Sequence, residues 1–341
     1  MNFESILKAV KHRLLHLLGR TPEQRWNKNL DEIVREFDES QKNNVKTLIN
    51  NYHRSAEQGH GDLGHSGNRD YKLDTSMIAV QLAALKRMRV MNLVGFQAMT
   101  GPVNKVFSLQ TKKEEFDPSS TLLTVVDGIV EAKRHELSLR WPVEMIMDNE
   151  LMYGDDSIRP EVELASANEL ALECDNVVIN DIKSVASKVD AAHIDSWQEL
   201  SITINKMANG IAERSRRGRG NWAIVPFNMI DMLEENPSYL HFPEGGNIGL
   251  NLMGELLPHP DAEDGIKIYS DVSHCDNTIL VGFKGISDID TGYIYSPYIL
   301  AVPSGIITDP ESFQPRMAFV NRGGSYMYNP EDYYTLAGVT R

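Results

Sequence analysis

The stretch from Pro160 to about Lys188 constrains this chain more than any other. Val162, Ala165, Leu170, Cys174, Val177, Ile182, Val185 and Val189 recur on one helical face. Pro160 suits a first helical turn, Glu161 and Glu163 follow it, and Lys183 and Lys188 lie near the far end. Both ends therefore complement the helix dipole. At 1.5 Å per residue such a helix spans roughly 40 Å. That is long for a globular domain and predicts a structural spine.

A second constraint precedes it. Val103–Leu109 reads as a strand entered from Gly101-Pro102, and residues 111–120 read as a charged loop tip. Leu122–Val126 is expected to return as a strand, with Asp127-Gly128 as a turn. From His135 to Trp141 the alternation is that of a half-buried strand: His135, Leu137, Leu139 and Trp141 on one face, Glu136, Ser138 and Arg140 on the other. Residues 103–141 thus predict a long two-armed β excursion with a polar tip.

Helical spacing recurs toward the N-terminus. Phe3, Ile6, Leu7, Val10, Leu14, Leu15 and Leu18 form an amphipathic helix, expected to pack on a neighbouring surface. Its Lys8, Lys11, Arg13 and Arg20 leave open a basic arm on DNA or a membrane. Thr21-Pro22-Glu23-Gln24 starts a helix whose stripe is Trp26, Leu30, Ile33, Val34 and Phe37. A second stripe, Val45, Leu48, Ile49 and Tyr52, follows a polar break, so residues 21–53 are two helices or one bent helix. Residues 54–70 read as a loop. Thr75 starts a mostly buried helix carrying Met77, Val80, Leu82, Leu85, Met88 and Met91, ended by Gly95 and Gly101-Pro102.

Beyond the spine, Ser196-Trp197-Gln198-Glu199 is a full capping box. Its helix carries Trp197, Leu200, Ile204, Met207 and Ile211 and ends at Arg216-Arg217-Gly218-Arg219-Gly220. A strand at Trp222–Val225 and a short helix near Asn228–Glu234 come next. Strands follow at Leu250–Leu257, Ile266–Ser270, Thr278–Phe283, Tyr293–Val302 and Arg316–Val320. Gly323-Gly324 is expected to turn the chain back to Tyr326–Tyr328. The predicted class is α+β.

The 341 residues suit about two domains and a substantial core. A net charge of −14 argues against non-specific nucleic-acid binding by the surface as a whole. Cys174 and Cys275 form no CxxC pair, which fits a reducing compartment such as the bacterial cytoplasm. No apolar run approaches a membrane span, and the N-terminal stretch lacks a signal-peptide pattern, so a soluble protein with no membrane partner is expected.

Motifs with catalytic associations fail on context. Tyr153-Gly154-Asp155-Asp156 looks like the metal-binding turn of viral RNA polymerases, but it precedes a long helix instead of joining two strands. Gly218–Ala223 matches GxGxxA, yet a helix precedes it and a strand follows, the reverse of a dinucleotide site. His274-Cys275-Asp276 reads as a polar turn, and His60, Asp62 and His65 as parts of a solvated loop. No P-loop, HExxH or GxSxG is present. No catalytic residue, cofactor or metal is expected.

Several stretches in order carry a family resemblance. They are Met99-Thr100-Gly101-Pro102-Val103, Arg214–Trp222, Val281-Gly282-Phe283-Lys284-Gly285 with Asp290–Tyr298, and Phe313–Phe319. Together they resemble the major capsid proteins of T-even-type tailed bacteriophages over roughly residues 76–341. The resemblance implies the Hong Kong 97 fold: residues 1–75 a helical arm, 76–110 the first part of a peripheral domain, and 111–140 an extended loop lying on a neighbouring subunit. It further implies that 141–195 is peripheral domain with the spine helix, 196–287 an axial domain, and 288–341 a return to the peripheral domain.

The implied partners are copies of the same chain, as pentamers and hexamers of an icosahedral lattice. Vertex, portal, scaffold or decoration proteins, and packaged double-stranded DNA held non-specifically, complete the set. The implied location is the virion, after synthesis in the host cytoplasm. Expected contact residues are Lys112, Lys113, Glu114, Glu115 and Phe116 in the extended loop. Arg216, Arg217 and Arg219 are expected to contact a neighbour from the axial domain, and Phe3, Leu7, Leu14 and Trp26 from the arm. The family's maturation protease cuts after glutamate, a pattern that Leu30-Asp31-Glu32 loosely fits. Two alternatives stand beside this reading: an encapsulin-like compartment shell, and a metal-dependent enzyme using the Tyr153–Asp156 loop.

Overall fold

The computed structural model describes residues 30–31, 34–57, 75–113, 121–140, 142, 159–242, 250–257, 265–271, 277–309 and 314–340. A 3-10 turn at Val34–Glu36 precedes α1 (Glu39–Glu57), so residues 34–57 hold two separate helical pieces. Helix α1 extends into the stretch expected as a loop. Its stripe of Val45, Leu48, Ile49 and Tyr52 is at most 1% exposed. Two asparagines join this buried face because they satisfy strand backbone. The Asn51 amide donates to the carbonyls of Met99 (2.7 Å) and Tyr298 (2.8 Å), and Asn44 bonds Phe96 O and Ala98 N. Unpaired, those buried groups would each cost roughly 1–3 kcal/mol.

Helix α2 (Thr75–Arg87) stops earlier than its apolar spacing suggests, and α3 (Val90–Leu93) restarts the chain in a new direction. Asp175 explains the break. Its carboxylate accepts from Arg89 N (3.1 Å) and Val90 N (3.0 Å), supplying acceptors for amides that a continuous helix would have bonded internally.

Strands β1 (Gly95–Phe96), β2 (Val103–Lys113), β3 (Thr121–Glu131) and β4 (Lys133–Arg140) follow. β2 and β3 pair antiparallel in unbroken register from Val103↔Glu131 to Lys113↔Thr121, forming a separate two-stranded ribbon. Asp127-Gly128 is therefore no turn: both lie inside β3, opposite Phe107 and Val106. Gly128 serves close approach, since a Cβ there would lie 2.2 Å from the Tyr326 ring. β4 leaves the ribbon and pairs with a later strand, so the two-armed excursion covers 103–131 and not 103–141.

The spine is α4 (Arg159–Val185), 27 residues and about 40 Å long. Its buried line is Ala167, Leu170, Ala171, Cys174, Val178, Ile179 and Ile182. Ala165 is exposed, and Lys188 and Val189 belong to the next strand, β5 (Ser187–His193), a strand hidden from sequence by the adjoining helical pattern. Helix α5 (Trp197–Ser215) starts where the capping box predicts. Ser196 Oγ accepts from Glu199 N, but Glu199 reaches back one residue further than the pattern implies, to Asp195 N at 2.9 Å.

The remaining elements are β6 (Trp222–Pro226), α6 (Ile230–Glu234), β7 (Tyr239–His241), β8 (Leu250–Leu256), β9 (Ile266–Asp271) and β10 (Thr278–Gly282). After them come β11 (Tyr293–Thr308), β12 (Pro315–Met327), α7 (Pro330–Tyr333) and β13 (Tyr334–Thr340). Gly323-Gly324 lies within β12 and turns nothing, because β12 stays paired to β11 on both sides of it.

Two further sheets result. One is ordered β1-β11-β12-β4; the other is ordered β5-β13-β10-β6-β9-β8-β7. The second draws β5 and β13 from segments expected to lie in the peripheral domain. One continuous apolar core, from Val45 and Leu85 through Leu170 and Cys174 to Ile204, Val281 and Tyr334, joins both sheets to α1, α2, α4 and α5. The class is α+β, with helices packed on two mixed sheets.

Candidate functional site

The ribbon shows which side of the molecule is finished and which is not. Paired residues of an antiparallel ladder share a face, so Asn104, Val106, Ser108, Val126, Gly128 and Val130 lie on one side. There Val106 and Val130 are buried with Met99 and Ile294, flanked by Tyr298 and Tyr326. Ser108 Oγ donates to Thr291 O (3.2 Å). The opposite side carries Val103, Phe107, Val125 and Ile129, exposed by 59, 46, 58 and 71%. At its centre Lys105 Nζ meets Asp127 Oδ2 at 2.9 Å, and this cation holds the Asp127 carboxyl below its ordinary pKa. A single exposed apolar residue is unremarkable, but four in register on one ribbon form a patch of the kind that marks a contact surface.

One edge of β2 is pinned to the body. Gln97 exchanges hydrogen bonds with the backbone of Phe107, donating to its O (2.8 Å) and accepting from its N (3.1 Å). Leu109 N donates to Ile289 O (2.7 Å). That carbonyl belongs to the 283–291 turn, which is itself tightly held. Arg217 makes two parallel bonds to Asp290, Nε to Oδ1 at 3.0 Å and Nη2 to Oδ2 at 2.7 Å. Lys284 contacts Asp288 (3.0 Å) and donates to Met91 O (2.6 Å), and its backbone is bracketed by the Asn221 amide.

Arg216, Arg217 and Arg219 therefore do not form one outward patch. Arg217 is spent on its own chain's Asp290, whose carboxylate raises the guanidinium pKa. Arg219 turns to Asn205, and its buried Nε has no hydrogen-bond partner. Only Arg216 is exposed, in the left-handed conformation (φ 54°) that caps α5. Sequence suggested a neighbour's carboxylate for Arg217; the fold supplies an internal one, because the 283–291 turn brings Asp290 beside the end of α5. Of the expected loop contacts, Lys112 and Lys113 end β2, paired with Leu122 and Thr121. Glu114, Glu115, Phe116, the arm residues Phe3, Leu7, Leu14 and Trp26, the Tyr153–Asp156 tetrad, His60, Asp62, His65 and His274–Asp276 lie outside the described residues.

Among the described residues the one cysteine is locked away. Cys174 is 1% exposed and accepts from Tyr295 OH (3.5 Å) and Asn321 Nδ2 (3.2 Å). Burial pushes its thiol pKa up to about 12. Such a thiol is a core packing group and not a nucleophile. Alkylation with iodoacetamide at pH 8 is expected to spare Cys174 in the native protein and to label it after denaturation, read by peptide mass; rapid native labelling would contradict this packing. Among the described residues no cluster of three or more His, Cys, Asp or Glu side chains could hold a metal ion. Nor is any helix there long and apolar enough to cross a membrane.

The family model for the major capsid protein Gp23 matches residues 117–337, well over half of the chain. This chain belongs to the Gp23 major capsid protein family. Its curated relatives include the major capsid protein of Vibrio phage KVP40, 26% identical over 225 residues, 58% of this chain and 43% of that one. The major capsid protein of Enterobacteria phage T4 is also 26% identical, over 58% of this chain and 42% of its own. The matched stretch thus covers less than half the length of these two relatives. Solved structures with similar traces include a virus-like particle from Pyrococcus furiosus (TM-score 0.46, 10% identity, 78% of this chain and 99% of that one). The capsid of cyanophage P-SCSP1u is another (TM-score 0.45, 12% identity, 73% and 86%). Membership of the Gp23 family rests on the family match, whose bounds take in β3, the spine α4, most of both large sheets and the pinned 283–291 turn.

Proposed function

We propose that this chain is the repeating subunit of a phage head, joining copies of itself into pentamers and hexamers of a closed icosahedral lattice around double-stranded DNA. The observation that carries the reading is the exposed Val103–Phe107–Val125–Ile129 face on a ribbon whose other side is docked through Val106 and Val130. An isolated two-stranded ribbon is marginally stable, so an outer face this apolar is best explained by cover from a neighbouring copy. The ribbon is the extended loop of a Hong Kong 97-type subunit, α4 its spine, and the seven-stranded sheet the body of its axial domain. The role is assembly without catalysis. Of residues 1–75, α1 packs into this chain's own core, and the stretch before Leu30 is assigned as the arm toward neighbours; Glu114, Glu115 and Phe116 extend the loop contact, and Arg216 is the axial arginine left to face a neighbour. An acidic chain suits a container wall, since strong attraction for phosphates over the whole inner surface would hinder packaging and release.

Electron microscopy of the purified, concentrated protein, with sedimentation in parallel, tests this. Closed shells, tubes or capsomer rings are expected. A chain that stays monomeric or dimeric under crowding conditions would overturn the reading.

A further inference from the structure

The turn from Phe283 to Thr291 carries Ile286 at its tip, and Ile286 is the most exposed large hydrophobic side chain among the described residues, at 107% of its reference area. An apolar side chain on a mobile tip would mean little. This one stands on a turn restrained from every side. Within the turn Gly285 N donates to Asp290 O (2.8 Å), Asp290 N donates to Ser287 O (3.0 Å), and Lys284 forms an antiparallel bridge with Thr291. Outside it, the two Arg217–Asp290 bonds, the Asn221 bracket and the Lys284 bond to Met91 O hold its base. Gly285 allows the fold back, because a Cβ there would lie 2.2 Å from the Asp290 carboxylate. The turn also abuts β2 beside the apolar ribbon face, through Ile289 O and through Gln97, which donates to both Phe107 O and Asp288 O.

From this geometry we infer that Ile286 is a preorganised anchor for a second copy of this chain, and that Arg217 and Asp290 are positioning residues that hold it in register with the ribbon face. The inference rests on the shell reading, deepens it, and adds a contact that the ribbon alone does not predict. Preorganisation matters because association otherwise loses affinity to ordering of the contact groups. A rigid anchor contributes its apolar burial with little such loss. The partner is a second copy because the turn adjoins the ribbon patch and both belong to a capsid-family chain whose repeating contacts join copies of itself.

The test compares full-length wild type with Ile286→Asp, Arg217→Lys, the Ile286→Asp/Arg217→Lys double variant and Ile129→Asp. Assembly is read by sedimentation and electron microscopy, and folding by thermal unfolding. Ile286→Asp is expected to unfold at the wild-type temperature, since the side chain has no folded contacts to lose, and to cut the assembled fraction at least tenfold. Arg217→Lys cannot keep both parallel bonds and is expected to weaken assembly several-fold. The double variant should assemble no worse than Ile286→Asp alone. Wild-type assembly by Ile286→Asp, with Ile129→Asp defective, would overturn the anchor while leaving the shell reading intact. Additive losses in the double variant would overturn the positioning role. A wild type that forms no assembly would remove the shell reading and this inference together.

Discussion

Replacing Phe107 and Ile129 together by aspartate is expected to leave the subunit folded and to abolish assembly. Both side chains stand on the exposed ribbon face, 46 and 71% exposed, so the isolated chain loses little packing. In the assembled state each would be covered, and burial of such side chains contributes roughly 1.5–3 kcal/mol apiece. An aspartate at a covered position adds the penalty of an unpaired buried charge. A combined loss above about 4 kcal/mol per contact raises the critical concentration roughly a thousandfold. The unfolding temperature should match wild type while sedimentation shows monomer at every accessible concentration. Shells forming at the wild-type concentration would show that the ribbon face meets solvent in the particle. The Lys105–Asp127 pair between these residues lies exposed and is screened by salt.

The second large effect concerns the docking of that ribbon. A Cβ on Gly324 would lie 2.4 Å from Val130 Cγ1 and 2.6 Å from the Glu131 backbone oxygen, so the strand itself would have to move. Gly323, its neighbour, would place a Cβ no closer than 3.2 Å to anything, a tight contact but not a collision. Gly324→Ala is therefore expected to destabilise by about 3 kcal/mol, the upper end of ordinary overpacking costs. It should also raise amide exchange along β2 and β3, while Gly323→Ala stays within about 1 kcal/mol of wild type. Equal effects from the two substitutions would mean that the close crossing of β3 over β12 contributes little. The ribbon would then be held by the Val106–Val130–Ile294 cluster and by the hydrogen bonds of β2 to Gln97, Ile289 and Thr291.

Local pattern determined much of this protein. The capping box at Ser196–Glu199, the stripe on α1, the existence of the spine and most strands of the seven-stranded sheet follow from spacing, because each depends on contacts only a turn or a ladder step away. The in-order motifs around Arg214–Trp222 and Val281–Tyr298 were enough to place the chain near its family. Tertiary structure decided the rest, in every case where one residue type admits two physical uses. Asp127-Gly128 and Gly323-Gly324 read as turns, yet Gly128 and Gly324 serve close packing of strands. The arginine run reads as a surface patch, yet Asp290, 73 residues further along the chain, takes Arg217 inward. Val189 continues a helical period but joins β5, since strand β13 offers it a ladder partner. Both faces of the β2–β3 ribbon carry apolar residues in sequence. Which face is buried within the subunit, and which stays exposed, was settled by the docking of Val106 and Val130 onto β11 and β12, a long-range contact that no local period encodes.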